Sequence, residues 1–281
     1  MRKIKVTCDS TCDLTKALYE KYQIEAIPMG VTLGGEFRYD GVNVNASQIF
    51  DFVENTKTLP KTSAISVGEY IDIFSKYIEK GFQVLHISLS SELSLTHQNA
   101  CTAANTLGNV VVIDSKNLST GSGHLAVKAA ELISQGEDIK AIEDYLLNIR
   151  EKLDVSFVLQ TLDYLHKGGR CSGIAAFGAN IMKIRPEIEV SNGKMQVGKK
   201  YRGNLDRSIS DYIKGRLEGR KDIQTDRIFI THSGVPQDTL DKAIDLVKQL
   251  QPFTEILVTT AGCTISSHCG PNCLGVLFFK K

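Results

Sequence analysis

The chain has 281 residues, of which 33 are basic and 32 acidic, so its formal net charge is +1. That balance lacks the basic excess of a nucleic-acid-binding protein, and 42% hydrophobic with 23% charged residues is typical of a soluble globular protein. No apolar run approaches the ~18 residues that a membrane-spanning helix needs, which argues against an integral membrane protein.

The chain contains seven cysteines. No apolar segment of signal-peptide length follows the basic start of the sequence. We therefore expect a cytoplasmic protein whose thiols are reduced rather than joined in disulfides.

Strand and helix patterns alternate through the first half of the chain. A strand is predicted at residues 3–8, followed by a helix that Asp13 would cap. Strands are also predicted at residues 84–88 and 110–113, and the second is almost wholly apolar without alternation, which is typical of strands buried on both faces of a parallel sheet. The helix predicted between them makes a strand–helix–strand crossover of right-handed sense. We therefore predict an N-terminal α/β domain, residues 1–154, with a mainly parallel sheet flanked by helices.

Two capping boxes mark further helix starts in this half. Asn45 is followed three positions later by Gln48, and Ser66 by Glu69. In a capping box, the side chain of the first residue accepts the backbone N–H of the residue three positions later. The side chain of that later residue accepts the backbone N–H of the first. Both sites therefore predict the first turn of a helix.

The second half has a different pattern. Asn192-Gly193 separates the alternating segments 188–190 and 195–197, and this dipeptide favours the type I′ turn of a β-hairpin. Helices and strands then alternate as far as a final apolar strand. Because the length suits about two domains, we predict a C-terminal α/β domain, residues 155–281, with a mixed or antiparallel sheet and helices. Two domains without a flexible linker imply a ligand cleft between them.

Hydroxyl side chains are concentrated between a strand end and a helix start, at residues 88–97, and Ser94 lies within this cluster. Free N–H groups and the helix dipole favour an anion at such a position, although a serine-rich helix cap explains the cluster about equally well. Thr62 and Ser63 form a second hydroxyl pair at a helix start, which by itself predicts only a capping loop.

A basic, glycine-rich loop covers residues 167–173 and includes Arg170. Its arginine can bind a carboxylate or phosphate, but the loop can equally contact an acidic partner or form a surface turn. The residues after it are unusually apolar, which indicates either a core helix or the wall of a pocket for a long apolar ligand; they include Ile174, Phe177, Ile181 and Met182.

His268 lies beside a Gly-Pro turn and can present its ring at the mouth of a cleft. A zinc site would recruit Cys263, Cys269 and Cys273 with it, but the spacing fits no structural zinc pattern, so no metal is expected. Ser94 with His268 leaves open an acyl hydrolase or transferase, although the sequence has no Gly-x-Ser-x-Gly motif. It also has no phosphate-binding loop, so no nucleotide cofactor is expected.

Taken in order, these motifs resemble the DegV family of fatty-acid-binding proteins nearly from end to end. The motifs that carry the resemblance are Asp9-Ser10 with Cys12-Asp13-Leu14, Thr62-Ser63, Ser90 to Thr96, Val112 to Lys116, Leu165 to Arg170, Lys199 to Arg202 and His268 to Pro271.

The resemblance implies a two-domain protein that holds one long-chain fatty acid in an internal tunnel near the domain interface. Thr62 and Ser94 would hydrogen-bond the carboxylate with His268 beside them, and Arg170 and Arg202 would form a basic surface near the carboxyl end. Such proteins are similar to the non-catalytic, lipid-presenting subunit of a bacterial fatty-acid kinase. In such a system a separate ATP-binding subunit phosphorylates the carboxylate, and the acyl phosphate enters phospholipid synthesis. We also expect transient contact of the protein with the membrane.

Two departures from the family pattern lie near the expected carboxylate site. Leu95 and His97 stand where glycine and tyrosine are common, and Ala64-Ile65 stands where Gln-Pro is usual. Leucine in place of glycine is expected to narrow or reshape the mouth of the pocket.

Overall fold

The computed structural model describes residues 3–172 and 184–281, which form fourteen strands and ten α-helices. The strands are β1 (Ile4–Asp9), β2 (Glu25–Ile27), β3 (Gly30–Leu33), β4 (Glu36–Tyr39), β5 (Lys61–Ser63), β6 (Gln83–Ser88), β7 (Val110–Asp114), β8 (Leu153–Val158), β9 (Cys171–Ser172), β10 (Ile184–Ser191), β11 (Lys194–Arg202), β12 (Ile223–Ser233), β13 (Glu255–Thr260) and β14 (Cys273–Lys280). The helices are α1 (Lys16–Lys21), α2 (Ala46–Thr56), α3 (Val67–Ile78), α4 (Thr96–Leu107), α5 (Ser119–Ser134), α6 (Ile139–Ile149), α7 (Asp163–Gly168), α8 (Leu205–Leu217), α9 (Gln237–Leu250) and α10 (Cys263–Cys269).

The first sheet is parallel, as predicted, with the strand order β2-β1-β6-β7. Leu85 and Ile113 face the cluster that contains the apolar residues of α5 and α6. Val84, on the opposite face, packs in the cluster that contains α3 and α4. Because helices cover both faces, a strand such as β7 carries successive apolar residues, which explains the absence of alternation in its sequence.

The second sheet is mixed, also as predicted, with the strand order β13-β12-β14-β8-β10-β11-β9. The β10–β11 hairpin turns at Asn192 and Gly193, whose φ angles of 50° and 81° are those of a type I′ turn. Helices α8 and α9 pack against one face of this sheet around Tyr212 and Leu240.

Helix α5 lies between the two sheets. Its His124 ring contacts Phe229 of β12 and Phe279 of β14, while Leu125 belongs to the cluster that includes Val6 of β1. The two halves of the chain therefore share a core. The boundary at residue 154 falls within β8 and stays a prediction.

A third, antiparallel sheet was not predicted. Its strand order is β4-β3-β5, and Val31 of β3 pairs with Thr62 of β5. Thr62 was expected in a helix-capping loop, but backbone pairing with β3 makes the segment a strand instead. Helix α10 also lacked a sequence prediction, and it packs against β3 and β5.

The predicted capping boxes at Asn45 and Ser66 are both present. The prediction that Asp13 caps α1 is wrong, because Thr15 accepts the N–H of Leu18 and acts as the cap. Asp13 instead has a left-handed backbone, φ 50°, and its carboxylate is directed toward the second half of the chain.

Candidate functional site

A cavity of about 420 Å³ lies where the small β3–β4–β5 sheet, α10 and the β6–α4 loop meet. Its volume is within the usual range for small-molecule sites. The apolar part of its wall includes Met29, Leu89, Leu118, Leu165, Met195 and Ile265. Thr62, Ser94, Arg170 and His268 also line it, so the fold brings together four of the residues that the sequence singled out.

Thr62 and His268 form the polar centre of this cavity. The Oγ1 atom of Thr62 lies 2.9 Å from Nε2 of His268. The other ring nitrogen, Nδ1, is buried without a hydrogen-bond partner in the described part of the chain. It lies so close to Gly168 that a Cβ atom there would be 2.5 Å away, so only glycine permits this ring position.

Burial lowers the pKa of His268 to about 4, and the nearby positive charge of Arg170 adds to this effect. The imidazole is therefore neutral at pH 7, with one N–H group and one acceptor nitrogen. A neutral ring beside a hydroxyl can relay hydrogen bonds to a ligand without adding a buried cation.

Ser94, just before α4, also lines the cavity. Its Oγ accepts the N–H of Thr96 at 3.2 Å. Ser91 lines the cavity too, but its Oγ donates to Asp114 at 2.5 Å. Within the described residues, no acceptor for the Ser94 hydroxyl proton is present, so that proton can be donated to a group in the cavity.

The Ser94 loop is held at both ends by the buried carboxylate of Asp9. One carboxylate oxygen accepts the N–H of Leu89 at 2.7 Å. The other accepts the hydroxyl of Tyr70 at 2.5 Å, and Tyr70 in turn contacts Thr96 Oγ1 at 2.8 Å. The sequence analysis gave Asp9 no role in holding this loop. Its position, a carboxylate at the end of a buried strand, is the sequence feature from which that role could have been predicted.

Arg170 and Arg202 lie in different places. The Arg170 side chain lines the cavity, and its Nη1 donates to the carbonyl of Gly168 at 2.5 Å. Arg202 is exposed at the end of β11, and among the described residues it does not belong to the cavity wall. Its predicted role at a shared basic surface stays a prediction. The tunnel candidates Ile174, Phe177, Ile181 and Met182 lie outside the described residues.

The two residues of the first departure from the family pattern, Leu95 and His97, have separate outcomes. Leu95 is 67% exposed and forms part of the cavity mouth, as its position in the sequence suggested. His97 turns away from the cavity, since its Nδ1 lies 2.8 Å from the hydroxyl of Ser88.

A small void of about 20 Å³ adjoins the cavity and was not foreseen from the sequence. It shares Leu118, Ile265 and Cys269 with the main cavity, and Phe157 and Leu277 also line it. A void of this size holds about one water molecule, so the main cavity supplies the room for a ligand.

The contacts of the described residues do not support the alternative chemistries. Nε2 of His268 pairs with Thr62, and no hydrogen bond joins Ser94 to His268 in the described part of the chain, so Ser94 lacks the adjacent base that an activated nucleophile needs.

Across residues 3–172 and 184–281, no three His, Cys, Asp or Glu side chains are grouped to hold a metal ion. Burial raises the pKa of the Cys263 thiol to about 12, and this thiol donates to the carbonyl of Val44 at 3.2 Å. The same residues contain no helix with the length and apolarity to cross a membrane.

Comparison with known sequences identifies relatives along the whole chain. The family profile described as an uncharacterised protein of the DegV family matches residues 3–281. A DegV domain-containing protein of Clostridium acetobutylicum is 32% identical and one of Clostridium perfringens is 31% identical, each over 100% of both chains.

Comparison with solved structures identifies DegV family proteins with a similar fold. A fatty-acid-binding DegV family protein from Thermus thermophilus has a TM-score of 0.89 with 29% identity and covers 100% of both chains. A DegV lipid-binding protein from Thermotoga maritima has a TM-score of 0.88 with 26% identity, covering 99% of this chain and 98% of that one. The fatty-acid-binding protein DegV from Bacillus subtilis has a TM-score of 0.85 with 25% identity and covers 100% of both chains.

Proposed function

The chain belongs to the DegV family, and on this basis we propose that it binds one long-chain fatty acid in the cavity beside α10. The observation that carries the proposal is a cavity whose lining combines hydroxyls and a neutral imidazole with an apolar wall. Similarity to solved structures described as fatty-acid-binding supports the ligand class.

The polar and apolar parts of the cavity lining suit the two ends of a fatty acid. Each CH₂ group moved from water into the apolar part contributes about 0.8 kcal/mol, so the tail supplies most of the affinity. Leu118 and Ile265 belong to the apolar part that the tail would contact. The carboxylate needs partners, because an unpaired charge in an apolar site is very costly.

Thr62 and Ser94 can supply those partners as hydrogen-bond donors. If Nε2 of neutral His268 carries the ring proton, it donates to Thr62 Oγ1. The Thr62 hydroxyl proton is then directed to a carboxylate oxygen, and the Ser94 proton to the other oxygen. Hydrogen bonds to a charged acceptor of this kind contribute about 1.5–3 kcal/mol each. Arg170, at the cavity wall, adds a cation at longer range.

We further propose that the protein presents this carboxylate to a separate kinase subunit and is itself non-catalytic. The carboxylate oxygen would attack the terminal phosphorus of ATP on the partner, releasing ADP and forming an acyl phosphate for phospholipid synthesis. Arg170 and the exposed Leu95 at the cavity mouth support a contact there, and the sequence has no nucleotide-binding loop of its own. This role fits a cytoplasmic location.

Analysis of the bound lipid tests the first proposal directly. The purified protein is denatured and extracted, and mass spectrometry of the extract is expected to show fatty acid near one equivalent. Protein that is empty in repeated preparations and takes up no labelled acid would contradict fatty-acid binding.

The presentation role is tested by adding a bacterial fatty-acid kinase subunit and ATP to the loaded protein. Acyl phosphate is expected only when both proteins are present; its formation without the second protein would show that the chain is an enzyme.

A further inference from the structure

Helix α10 contributes a large part of the cavity wall. Four of its residues line the cavity: Thr264, Ile265, His268 and Cys269. The helix has only seven residues, and helices this short are not stable in water on their own. Its orientation must therefore come from the contacts at its ends and sides.

Two acidic side chains from the first half of the chain hold the amino end of α10. Asp40 accepts the N–H of Cys263 at 2.7 Å through Oδ1 and that of Thr264 at 2.9 Å through Oδ2. Asp13 accepts the N–H of Gly262 at 2.8 Å, and since burial raises the pKa of Asp13 to about 8, it accepts this bond as a largely neutral group at pH 7. These three N–H groups belong to the start of the helix, where free N–H groups need acceptors.

Asp40 is itself fixed by its surroundings. Its side chain is 4% exposed, and Ser10 donates to its Oδ2 at 3.3 Å. Its backbone N–H donates to the carbonyl of Met29 at 2.9 Å. Asp40 directly follows β4 in the same small sheet whose β5 strand carries Thr62.

These contacts close a ring through the candidate site. From Thr62 the ring passes through β5, β3 and β4 to Asp40, then through the amino end of α10 to His268, and returns to Thr62 by the 2.9 Å hydrogen bond. We propose that Asp40 is a positioning residue that sets the geometry of the Thr62–His268 pair for the ligand carboxylate. This inference rests on the proposed function.

Removal of the Asp40 carboxylate has a specific consequence in this arrangement. Two buried N–H groups lose their acceptor, which is costly, and we expect α10 to shift relative to β5 as these groups find other partners. The Thr62–His268 distance then changes while the apolar wall remains apolar. Recognition of the carboxylate is therefore affected more than burial of the tail.

The test compares a long-chain fatty acid with its methyl ester, which keeps the tail and loses the charge. The dissociation constants of both are measured by displacement of a fluorescent fatty acid. For Asp40→Ala we expect at least a tenfold rise in Kd for the acid and less than a threefold rise for the ester. Asp40→Asn, which keeps one acceptor oxygen, is expected to lie between Asp40→Ala and the wild type. The NMR titration of His268 should shift in Asp40→Ala as the surroundings of the ring change.

Asp138 provides a matched control, because its Oδ1 likewise accepts two helix N–H groups, those of Lys140 and Ala141, each at 2.9 Å. This cap belongs to α6, away from the cavity, so Asp138→Ala should leave the ratio of the two dissociation constants, acid to ester, unchanged.

If Asp40→Ala does not fold, the same ratio measured for the nearly isosteric Asp40→Asn decides the question. A folded Asp40 variant with the wild-type ratio and His268 titration overturns the positioning role. A wild-type protein that binds neither compound overturns the proposed function instead.

Discussion

Thr62 Oγ1 and His268 Nε2 lie 2.9 Å apart although 206 positions separate the two residues in the chain. Thr62 lies on a three-residue strand and His268 on a seven-residue helix. Neither element has enough residues to be stable alone, so the pair depends on the packing of α10 against β3 and β5.

Thr62→Val removes the hydroxyl and keeps the shape of the side chain. We expect Kd for a long-chain fatty acid to rise roughly 10- to 150-fold, because a hydrogen bond to a charged group contributes about 1.5–3 kcal/mol. Displacement of a fluorescent fatty acid measures this change. Thr106→Val is the control, since Thr106 is exposed on α4 and donates only to the carbonyl of Thr102. Equal affinities for wild type and Thr62→Val would remove Thr62 from carboxylate binding.

Ser94→Ala should weaken binding of the acid by a similar factor and leave binding of the methyl ester almost unchanged. The variant removes a donor to the carboxylate and also the acceptor for the N–H of Thr96. A melting curve of the ligand-free protein separates the second effect from the first. The exposed Ser134→Ala, whose hydroxyl donates to the carbonyl of Glu131, serves as the comparison. A loss of affinity that is equal for acid and ester would assign Ser94 a structural role.

Ile265→Phe is expected to shorten the preferred acyl chain. Ile265 lines the cavity, and a larger side chain there takes up room that the tail needs. Each CH₂ group that is no longer buried costs about 0.8 kcal/mol, so long chains lose affinity before short ones. A series of saturated acids of increasing length measures the preference. Ile244→Phe, in the separate cluster around α9, should keep the wild-type length profile; an unchanged profile in Ile265→Phe would show that the tail does not lie beside Ile265.

His268 makes the stability of the ligand-free protein depend on pH in a known direction. Its pKa is lowered from 6.5 to about 4 by burial, so the unfolded chain binds more protons than the folded chain between these values. The free energy of unfolding therefore falls as the pH falls from 6.5 to 4, with this residue contributing up to about 1.4 kcal/mol per pH unit. His268→Gln should reduce that slope in urea unfolding experiments, with the exposed His166→Gln as control. An identical slope in His268→Gln and wild type would show that the ring is not buried as described.

The sequence alone was sufficient for the elements whose signals are local. The capping boxes at Asn45 and Ser66 and the turn at Asn192-Gly193 depend on residues within four positions of each other, and all three are confirmed. The apolar strands β6 and β7 were recognised because burial on both faces leaves a continuous pattern. The resemblance to a family supplied Thr62, Ser94 and His268 as candidates, and all three line the cavity.

The tertiary structure alone decided how those candidates meet. The sequence of α10, Cys-Thr-Ile-Ser-Ser-His-Cys, has no helical apolar period, and β5 is too short to show a strand pattern. Asp13 was assigned to the nearest helix because local spacing favours that cap, whereas its carboxylate accepts the N–H of Gly262, 249 positions away. Hydrogen bonds across such separations leave no periodic trace in the chain, since they exist only once the two halves have packed together. The residues of the site can therefore be nominated from the sequence, but their geometry is a property of the folded molecule.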